Sequence, residues 1–194
     1  AESDRSERMA VGHEHAARQA LEELDVSPGQ HFLDIGCGNG YSVRWVAERH
    51  PSIEAVGLDA SQQMVIKARG LSESLANTRF IHAPFPLVLL KSSAFDAILS
   101  VEAFYYLPKL NDALREVRRL LKPGGKFACV IDFYEENTES HGWPERVGLE
   151  MSLMSEDTWR AAFVLAGLKV VAHRRVLAPT VPGVEPGWPQ LEGC

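Results

Sequence analysis

The chain has 194 residues, of which 45% are apolar and 24% are charged, and this composition is typical of one globular domain with a single core. It excludes intrinsic disorder for most of the chain, a collagen-like repeat and a disulfide scaffold, and no apolar run reaches the ~20 residues of a membrane-spanning helix. The formal net charge of −6 argues against a broad affinity for nucleic-acid backbones.

Apolar strands alternate with amphipathic helices along most of the chain. The predicted helices are His13–Leu24, Tyr41–Arg49, Ser61–Leu75, Lys109–Leu121 and Glu156–Ala166. The predicted strands are His31–Ile35, Glu54–Leu58, Thr78–Ala83, Phe95–Ser100, Lys126–Phe133 and Leu168–Val176. This alternation predicts right-handed βαβ units, and therefore a Rossmann-like, doubly wound, mostly parallel sheet in a three-layer α/β/α fold.

A glycine-rich loop joins the first predicted strand to the helix at Tyr41. Glycines at 36, 38 and 40 allow tight turning and a close approach of a ligand to the backbone, and the helix start offers free N–H groups to an anion. A dinucleotide fingerprint of the GxGxxG type would need its third glycine at position 41, where Tyr41 stands. The loop therefore indicates a cofactor site, but not that of a typical nicotinamide enzyme.

Asp59 follows the second predicted strand. A carboxylate there can accept two hydrogen bonds from the vicinal hydroxyls of a ribose, which NAD and adenosyl ligands both carry. Alternatively, Asp59 could be the N-cap of the helix that begins at Ser61. In parallel sheets ligands bind beyond the carboxyl ends of the strands, so we expect functional residues after the first four strands.

Four motifs together resemble the class I S-adenosylmethionine-dependent methyltransferases. They are LDIGCGNG from Leu33, VGLDAS from Val56, FDAILSVEAFYYL from Phe95 and LREVRRLLKPGG from Leu114. The resemblance covers roughly Leu33 to Leu168, and it is closest to the small-molecule methyltransferases that include quinone and sterol methyltransferases. It implies S-adenosyl-L-methionine as the cofactor and S-adenosyl-L-homocysteine as the product. No metal site is predicted, because the cysteine spacings fit no zinc pattern and His13 and His15 would not share a helix face.

The resemblance also assigns cofactor-binding roles to individual residues. The residues implied to cradle the methionine part are Asp34, Gly36, Cys37, Gly38, Asn39 and Gly40. Asp59 would hold the ribose, and Ala60 with Met64 would pack on the adenine. Ser100 and Val101 would line the methionine side of the pocket.

The sequence departs from the family pattern at two places. Relatives commonly carry Gly-Asp-Ala after the third strand, whereas this chain has an Ile-His-Ala-Pro step. His82 or the backbone of Ala83 could contact adenine there, or His82 could be an ordinary residue at a strand end. Relatives usually finish with an antiparallel strand pair, but Pro179–Cys194 carries four prolines that remove ladder donors, which predicts an atypical or incomplete pair.

We expect one domain over residues 1–194. Its predicted parts are an N-terminal cap helix (1–29), a cofactor-binding core (30–133), a substrate or lid segment (134–155), a C-terminal helix and strand (156–176) and a proline-rich tail (177–194). The segment 134–155 shows no clean periodicity, and long segments of this kind in compact domains are often lids.

Catalytic candidates follow the fourth strand and lie in the lid. Glu102 could orient an amine or accept a proton, and Tyr105 and Tyr106 could stack on a substrate or stabilise a cation. Glu102 could equally be solvated, with one tyrosine in the core. His141 is a candidate base in the lid, although a lone histidine in a loop is often simply exposed.

We therefore predict a methyltransferase that acts on a small molecule as a monomer or homodimer, without nucleic acid. The basic helix residues near Arg115 alternate with acidic ones, which is typical of a solvated face. The polar N-terminus and the unpaired pattern of Cys37, Cys129 and Cys194 favour the cytoplasm. A non-catalytic cofactor-binding protein and an NAD-dependent oxidoreductase are the alternatives.

Overall fold

The computed structural model describes residues 2–176, with side chains from His13 onward. Its strands are β1 (His31–Ile35), β2 (Glu54–Asp59), β3 (Thr78–His82), β4 (Phe95–Val101) and β5 (Leu121–Val130). Its helices are α1 (Glu2–Leu24), α2 (Tyr41–Arg49), α3 (Gln62–Leu71), α4 (Leu110–Leu120), α5 (Trp143–Val147) and α6 (Glu156–Leu165). Single 3₁₀ turns lie at Phe104–Tyr106 and Thr138–Ser140.

The five strands form one parallel sheet in the order β3-β2-β1-β4-β5. The chain runs outward from β1 to β3 and then returns to the other side of β1 with β4. The strand order thus reverses between β1 and β4, and in such sheets the ligand crevice lies at the carboxyl ends next to that point. The α/β fold class predicted from the sequence is confirmed.

Alternate side chains of the strands feed two apolar cores, one on each face of the sheet. Leu33, Val56 and Ile98 pack into one core with buried residues of α4 and α6. Their neighbours Phe32, Ala55 and Ala97 pack into the other core with residues of α1, α2 and α3. Strands buried on both faces explain the continuous apolar runs in the sequence.

The predicted sixth strand, Leu168–Val176, is wrong, since the structure has no strand there. The Leu168 amide closes the end of α6 by donating to the Phe163 carbonyl. Beyond it, three consecutive basic residues place charge on both faces of the segment, and Arg174 and Arg175 pair with Glu23 and Glu156 instead. A second strand of the terminal pair would fall at 177–194, outside the described residues.

Three smaller differences concern the ends of elements. The helix predicted from His13 begins at Glu2, and the strand predicted at Lys126–Phe133 is β5, which begins at Leu121 and ends at Val130. The lid segment, for which no helix was predicted, contains α5. The Lys-Pro-Gly-Gly step that ends α4 lies within β5, where it shifts the register against β4. Among the described residues, no helix combines the length and apolarity needed to span a membrane.

Candidate active site

The glycine loop is fixed to the ends of two neighbouring strands. The amides of Gly36 and Cys37 both donate to the Leu58 carbonyl at the end of β2, at 2.8 and 3.0 Å. Gly36 has φ 77°, and a Cβ added there would lie 2.4 Å from the Cβ of Ala103, just after β4. Only glycine fits this left-handed, closely packed position, so the loop is seated where β1, β2 and β4 meet.

Asp59 joins the loop to the start of α3. Its Oδ2 accepts a hydrogen bond from the Gly38 amide and its Oδ1 accepts one from the Ser61 amide, both at 2.8 Å. Each oxygen keeps a second lone pair with which to accept a ribose hydroxyl. The alternative role of Asp59 as N-cap is wrong, because the cap is Ser61, whose hydroxyl accepts from the Met64 amide.

Asp34 is a buried carboxyl group at the base of the loop. Its Oδ2 accepts a hydrogen bond from the Ser42 hydroxyl, while its Oδ1 has no partner among the described residues. Burial raises the pKa of Asp34 to about 7, the Ser42 hydrogen bond lowers it, and the charge of Asp59 raises it further. Asn39 likewise holds a buried, unpartnered Oδ1, so two acceptor oxygens are available to an ammonium group.

The predicted adenine contacts surround the end of β2. Ala60 is exposed, and Met64 is half-buried in the first turn of α3. His82 pairs with Asp59 across the ladder between β2 and β3, and its Nε2 lies 3.1 Å from the Ala60 carbonyl oxygen. The Ala83 amide already donates to the Asp59 carbonyl at 3.1 Å, so it is not available to an adenine.

The predicted methionine-side residues are more buried. The Ser100 hydroxyl donates to the Ile35 carbonyl at 2.7 Å, so it ties β4 to β1. Val101 is buried at the end of β4. Cys37 is also buried, and burial together with the charges of Asp34 and Asp59 raises the pKa of its thiol well above the ordinary value, so we expect an uncharged thiol that fills space.

Glu102 is a buried carboxyl group immediately after β4. It is 8% exposed and has φ 55°, a left-handed conformation that is unusual for a residue with a side chain. Its Oε2 accepts a hydrogen bond from the Tyr105 hydroxyl at 2.8 Å, while Oε1 has no partner among the described residues. Burial raises the pKa of Glu102 to about 8; the Tyr105 hydrogen bond lowers it, the charge of Asp132 raises it, and a hydrogen bond from the Asp132 backbone amide lowers it.

Aromatic rings surround the Glu102–Tyr105 pair. The Tyr105 ring lies 4.6 Å from Tyr106 and 5.6 Å from Phe133, centroid to centroid, and Phe133 stacks on Trp143 of the lid segment. The Ser152 amide also donates to the Tyr105 carbonyl at 2.8 Å. The structure therefore brings Glu102, Tyr105 and the segment 134–155 together.

His141 is not part of this group. Its side chain is exposed, and its Nε2 lies 3.0 Å from the Glu135 carbonyl oxygen. Among residues 13–176, no hydrogen bond or ion pair links it to Glu102 or Tyr105.

Sequence reasoning missed three residues near Glu102. Asp132 lies just beyond β5, and the rule that functional residues follow strands could have found it. The charge of Glu102 contributes to the raised pKa of Tyr41 at the start of α2. Burial lowers the pKa of His13 on α1, and the charge of Asp132 opposes that change. No sequence signal places α1 beside the carboxylate of Asp132.

The family model described as "Methyltransferase domain" matches residues 33–129, which is half of the chain. A curated relative, the sterol 24-C-methyltransferase ERG6B of Gibberella zeae, is 28% identical over 94% of this chain and 50% of its own length. A second, the cycloartenol-C-24-methyltransferase 1 of Oryza sativa, is 32% identical over 61% of this chain. The chain spans half or less of the length of these curated relatives.

A solved structure gives a fuller match. It holds the Trm112 methyltransferase activator of Haloferax volcanii in complex with a methyltransferase, and matches with 35% identity and a TM-score of 0.80 over 84% of this chain and 72% of that one. Phosphoethanolamine N-methyltransferase 2 of Haemonchus contortus, solved with S-adenosyl-L-methionine, shares the fold at 20% identity, with a TM-score of 0.67 over 78% of this chain and 36% of that one. The chain belongs to the methyltransferase domain family and has the class I methyltransferase fold.

Proposed function

We propose that this chain transfers a methyl group from S-adenosyl-L-methionine to a small-molecule acceptor. The observation that carries the proposal is the contact between the glycine loop and Asp59. The Gly38 amide donates to the carboxylate of Asp59, which is the candidate for binding the ribose. Membership of the methyltransferase family favours this function over a nicotinamide-dependent oxidoreductase.

The residues at the carboxyl ends of β1 and β2 fit this cofactor. Asp59 would accept hydrogen bonds from the ribose hydroxyls, and the unpartnered oxygens of Asp34 and Asn39 would accept from the ammonium group of the methionine part. Met64 and His82 would lie against the adenine. The bound cofactor supplies a methyl group that is already activated on a sulfonium sulfur.

The remaining work of the protein is to align the acceptor and exclude water. Alignment of two reactants can contribute roughly 7–11 kcal/mol to lowering a barrier. The segment 134–155, which packs on Tyr105, would close over the acceptor. Glu102 would hold or accept a proton at Oε1, the oxygen without a partner.

A small acceptor is favoured over nucleic acid by the charges on the surface. Three of the basic residues in α4 and just after it lie in ion pairs, with Arg115 on Asp112, Arg119 on Glu116 and Lys122 on Asp96 at 2.6–2.7 Å. Such paired side chains, on a chain of net charge −6, form a poor phosphate-binding surface.

We also propose that this chain works with an activator subunit of the Trm112 type. The proposal is supported by the 35% identity to the methyltransferase of that complex and by two strongly exposed leucines between β3 and β4, Leu87 and Leu89. Size-exclusion chromatography with the Haloferax volcanii activator tests it. Co-elution that the double variant Leu87→Ser/Leu89→Ser abolishes is expected, and separate elution of the two unmodified proteins contradicts the proposal.

Calorimetric titration of the full chain tests the proposed function. We expect saturable heat with S-adenosylhomocysteine and none with NAD. Methyl-labelled cofactor incubated with fractionated small metabolites should then yield a labelled product. Heat with NAD but not with S-adenosylhomocysteine would overturn the proposal, and cofactor binding without labelled product in any fraction would favour a non-catalytic binding protein.

A further inference from the structure

We propose that the acceptor presents a protonated amine, which Oε1 of Glu102 receives beside the ring of Tyr105. This inference rests on the proposed methyltransferase function and names the chemical class of its acceptor. An ammonium group is a multiple hydrogen-bond donor with a positive charge. It would donate to the unpartnered oxygen and would be attracted by the nearby charge of Asp132.

Oε1 of Glu102 is a buried oxygen without a partner among the described residues. Glu102 is more than nine-tenths buried; its Oε2 accepts from the Tyr105 hydroxyl, and the Asp132 backbone amide also acts on the carboxyl group as a donor. A buried acceptor without a donor costs about 1–3 kcal/mol, and more when the group is charged. The left-handed backbone of Glu102 adds further strain, which a residue with no role at the strand end would not be expected to keep.

The titratable groups around Glu102 favour a cationic ligand. Tyr105 and Asp132 shift the pKa of Glu102. The charge of Glu102 in turn contributes to the raised pKa values of Cys129 in β5 and Tyr41 in α2, which burial raises most. Burial lowers the pKa of His13 in α1, and the charge of Asp132 opposes that change, so His13 also lies near this group of residues. No lysine or arginine in the described part of the chain contributes to the pKa of Glu102. Tyr105, Cys129 and Tyr41 are uncharged near pH 7, and Glu102 is mostly the neutral acid in the empty site, so the negative charge of this region comes from Asp132. That charge attracts a cation and repels a carboxylate or phosphate.

Four aromatic rings in contact with one another lie beside this carboxyl group, those of Tyr105, Tyr106, Phe133 and Trp143. Ring faces attract ammonium groups, by about 0.5–2 kcal/mol according to how far the cation is desolvated. A carboxylate beside such rings is a suitable receptor for an organic cation.

The proton balance follows from the empty and occupied forms of the site. The pKa of Glu102 is about 8, so at pH 7 the empty site holds mostly the neutral acid. A bound ammonium group stabilises the carboxylate, and the acid proton is therefore released to solvent on binding. We expect close to one proton released per amine bound at pH 7, and fewer above pH 8.

The same carboxylate can then free the nitrogen for reaction. A proton passes from the ammonium nitrogen to Oε1, which restores the neutral acid and exposes the nitrogen lone pair. Methylation forms the N–C bond and breaks the S–C bond, whose electron pair stays on sulfur. The methylated amine leaves as a cation, so each turnover releases one proton in all, the one lost on binding.

The experiment uses three probes of the same shape: benzylamine, benzyl alcohol and benzoate. Each is titrated calorimetrically into the full chain saturated with S-adenosylhomocysteine, in two buffers of different ionisation enthalpy so that released protons are counted. We expect benzylamine to bind at least about tenfold more tightly than the other two, since hydrogen bonds to charged groups are worth about 1.5–3 kcal/mol. Equal or tighter binding of benzyl alcohol or benzoate, or no binding of benzylamine to the saturated protein, overturns the inference.

Glu102→Gln keeps the shape of the neutral acid and removes the titrating proton. We expect it to weaken benzylamine binding by about tenfold and to abolish the proton release, while S-adenosylhomocysteine affinity stays unchanged. Glu73→Gln, at an exposed carboxylate just after α3, is the matched control and should match the unmodified chain. Unchanged benzylamine binding in Glu102→Gln contradicts the inference, and the proton count of the unmodified chain tests it without any variant. Failure of S-adenosylhomocysteine to bind would instead count against the methyltransferase proposal.

Discussion

The two halves of the sheet edge are built by different means. On the cofactor side, residues 34–40 and 58–61 are joined largely by backbone amides that donate to Leu58 and Asp59. On the acceptor side, Glu102, Asp132 and the segment 134–155 meet through buried side chains and rings. A backbone-built site depends on conformations that few residues can adopt, whereas a side-chain-built site can change its ligand by substitution. The comparison explains how one loop motif serves relatives with different acceptors.

On the cofactor side, the largest effect on stability should come from Gly36→Ala. The added Cβ meets Ala103 at 2.4 Å and holds a left-handed φ of 77°, so we expect a loss of about 3 kcal/mol in the free energy of unfolding. Urea denaturation measures it. Gly29→Ala is the matched control, because Gly29 has φ 81° with no described atom within 4 Å of an added Cβ, and it should lose only about 1 kcal/mol. Equal losses in the two variants would show that the contact with Ala103 is unimportant.

Asp59→Ala should come next and should act on binding. Two hydrogen bonds that the ribose hydroxyls donate to the Asp59 carboxylate are worth about 3 kcal/mol together, so we expect S-adenosylhomocysteine to bind about 100-fold more weakly. Glu54→Ala, at the exposed start of the same strand, should leave affinity within about twofold. An unchanged Kd in Asp59→Ala would place the ribose elsewhere.

On the acceptor side, the raised pKa of Glu102 should make the free energy of unfolding depend on pH. The pKa of Glu102 is about 8 in the folded chain, against an ordinary value of 4.5, so between those values the folded state keeps a proton that the unfolded state has lost. Stability therefore falls as pH rises through this window, by up to about 1.4 kcal/mol per pH unit from this group. Glu102→Gln should be more stable than the unmodified chain by less than about 1 kcal/mol at pH 5 and by about 4 kcal/mol at pH 8.

A smaller slope should remain in Glu102→Gln below pH 7, from Asp34, whose pKa is about 7. Urea midpoints at pH 5, 6.5 and 8 give both slopes. Parallel curves for the variant and the unmodified chain would mean that Glu102 is ionised in the empty site.

His141→Ala should have the smallest effect. Its ring is exposed and bonded only to the Glu135 carbonyl among described partners, so we expect a change below about 0.5 kcal/mol in stability. Benzylamine affinity should also stay within twofold. A tenfold loss of that affinity would show that the lid closes further on the acceptor and brings His141 to it.

The predictability of each region follows from how local its interactions are. The stretch from β1 to α3 was predictable because its glycines, Asp59 and Ser61 act on neighbours within one βαβ unit. The strand at Leu168–Val176 was not, because strand propensity alone cannot show whether a segment pairs with another strand, and this one pairs with none in the described part of the chain. Asp132 and His13 escaped notice because only tertiary packing brings α1 and the end of β5 to Glu102.

The most direct test of the account is a crystal structure of the full chain with S-adenosylhomocysteine. The account predicts ribose hydroxyls on Asp59, the ammonium group beside Asp34 and Asn39, adenine against Met64 and His82, and the sulfur facing Glu102 and Tyr105. A ligand bound away from the glycine loop, or bound there with its sulfur directed away from Glu102, would contradict it.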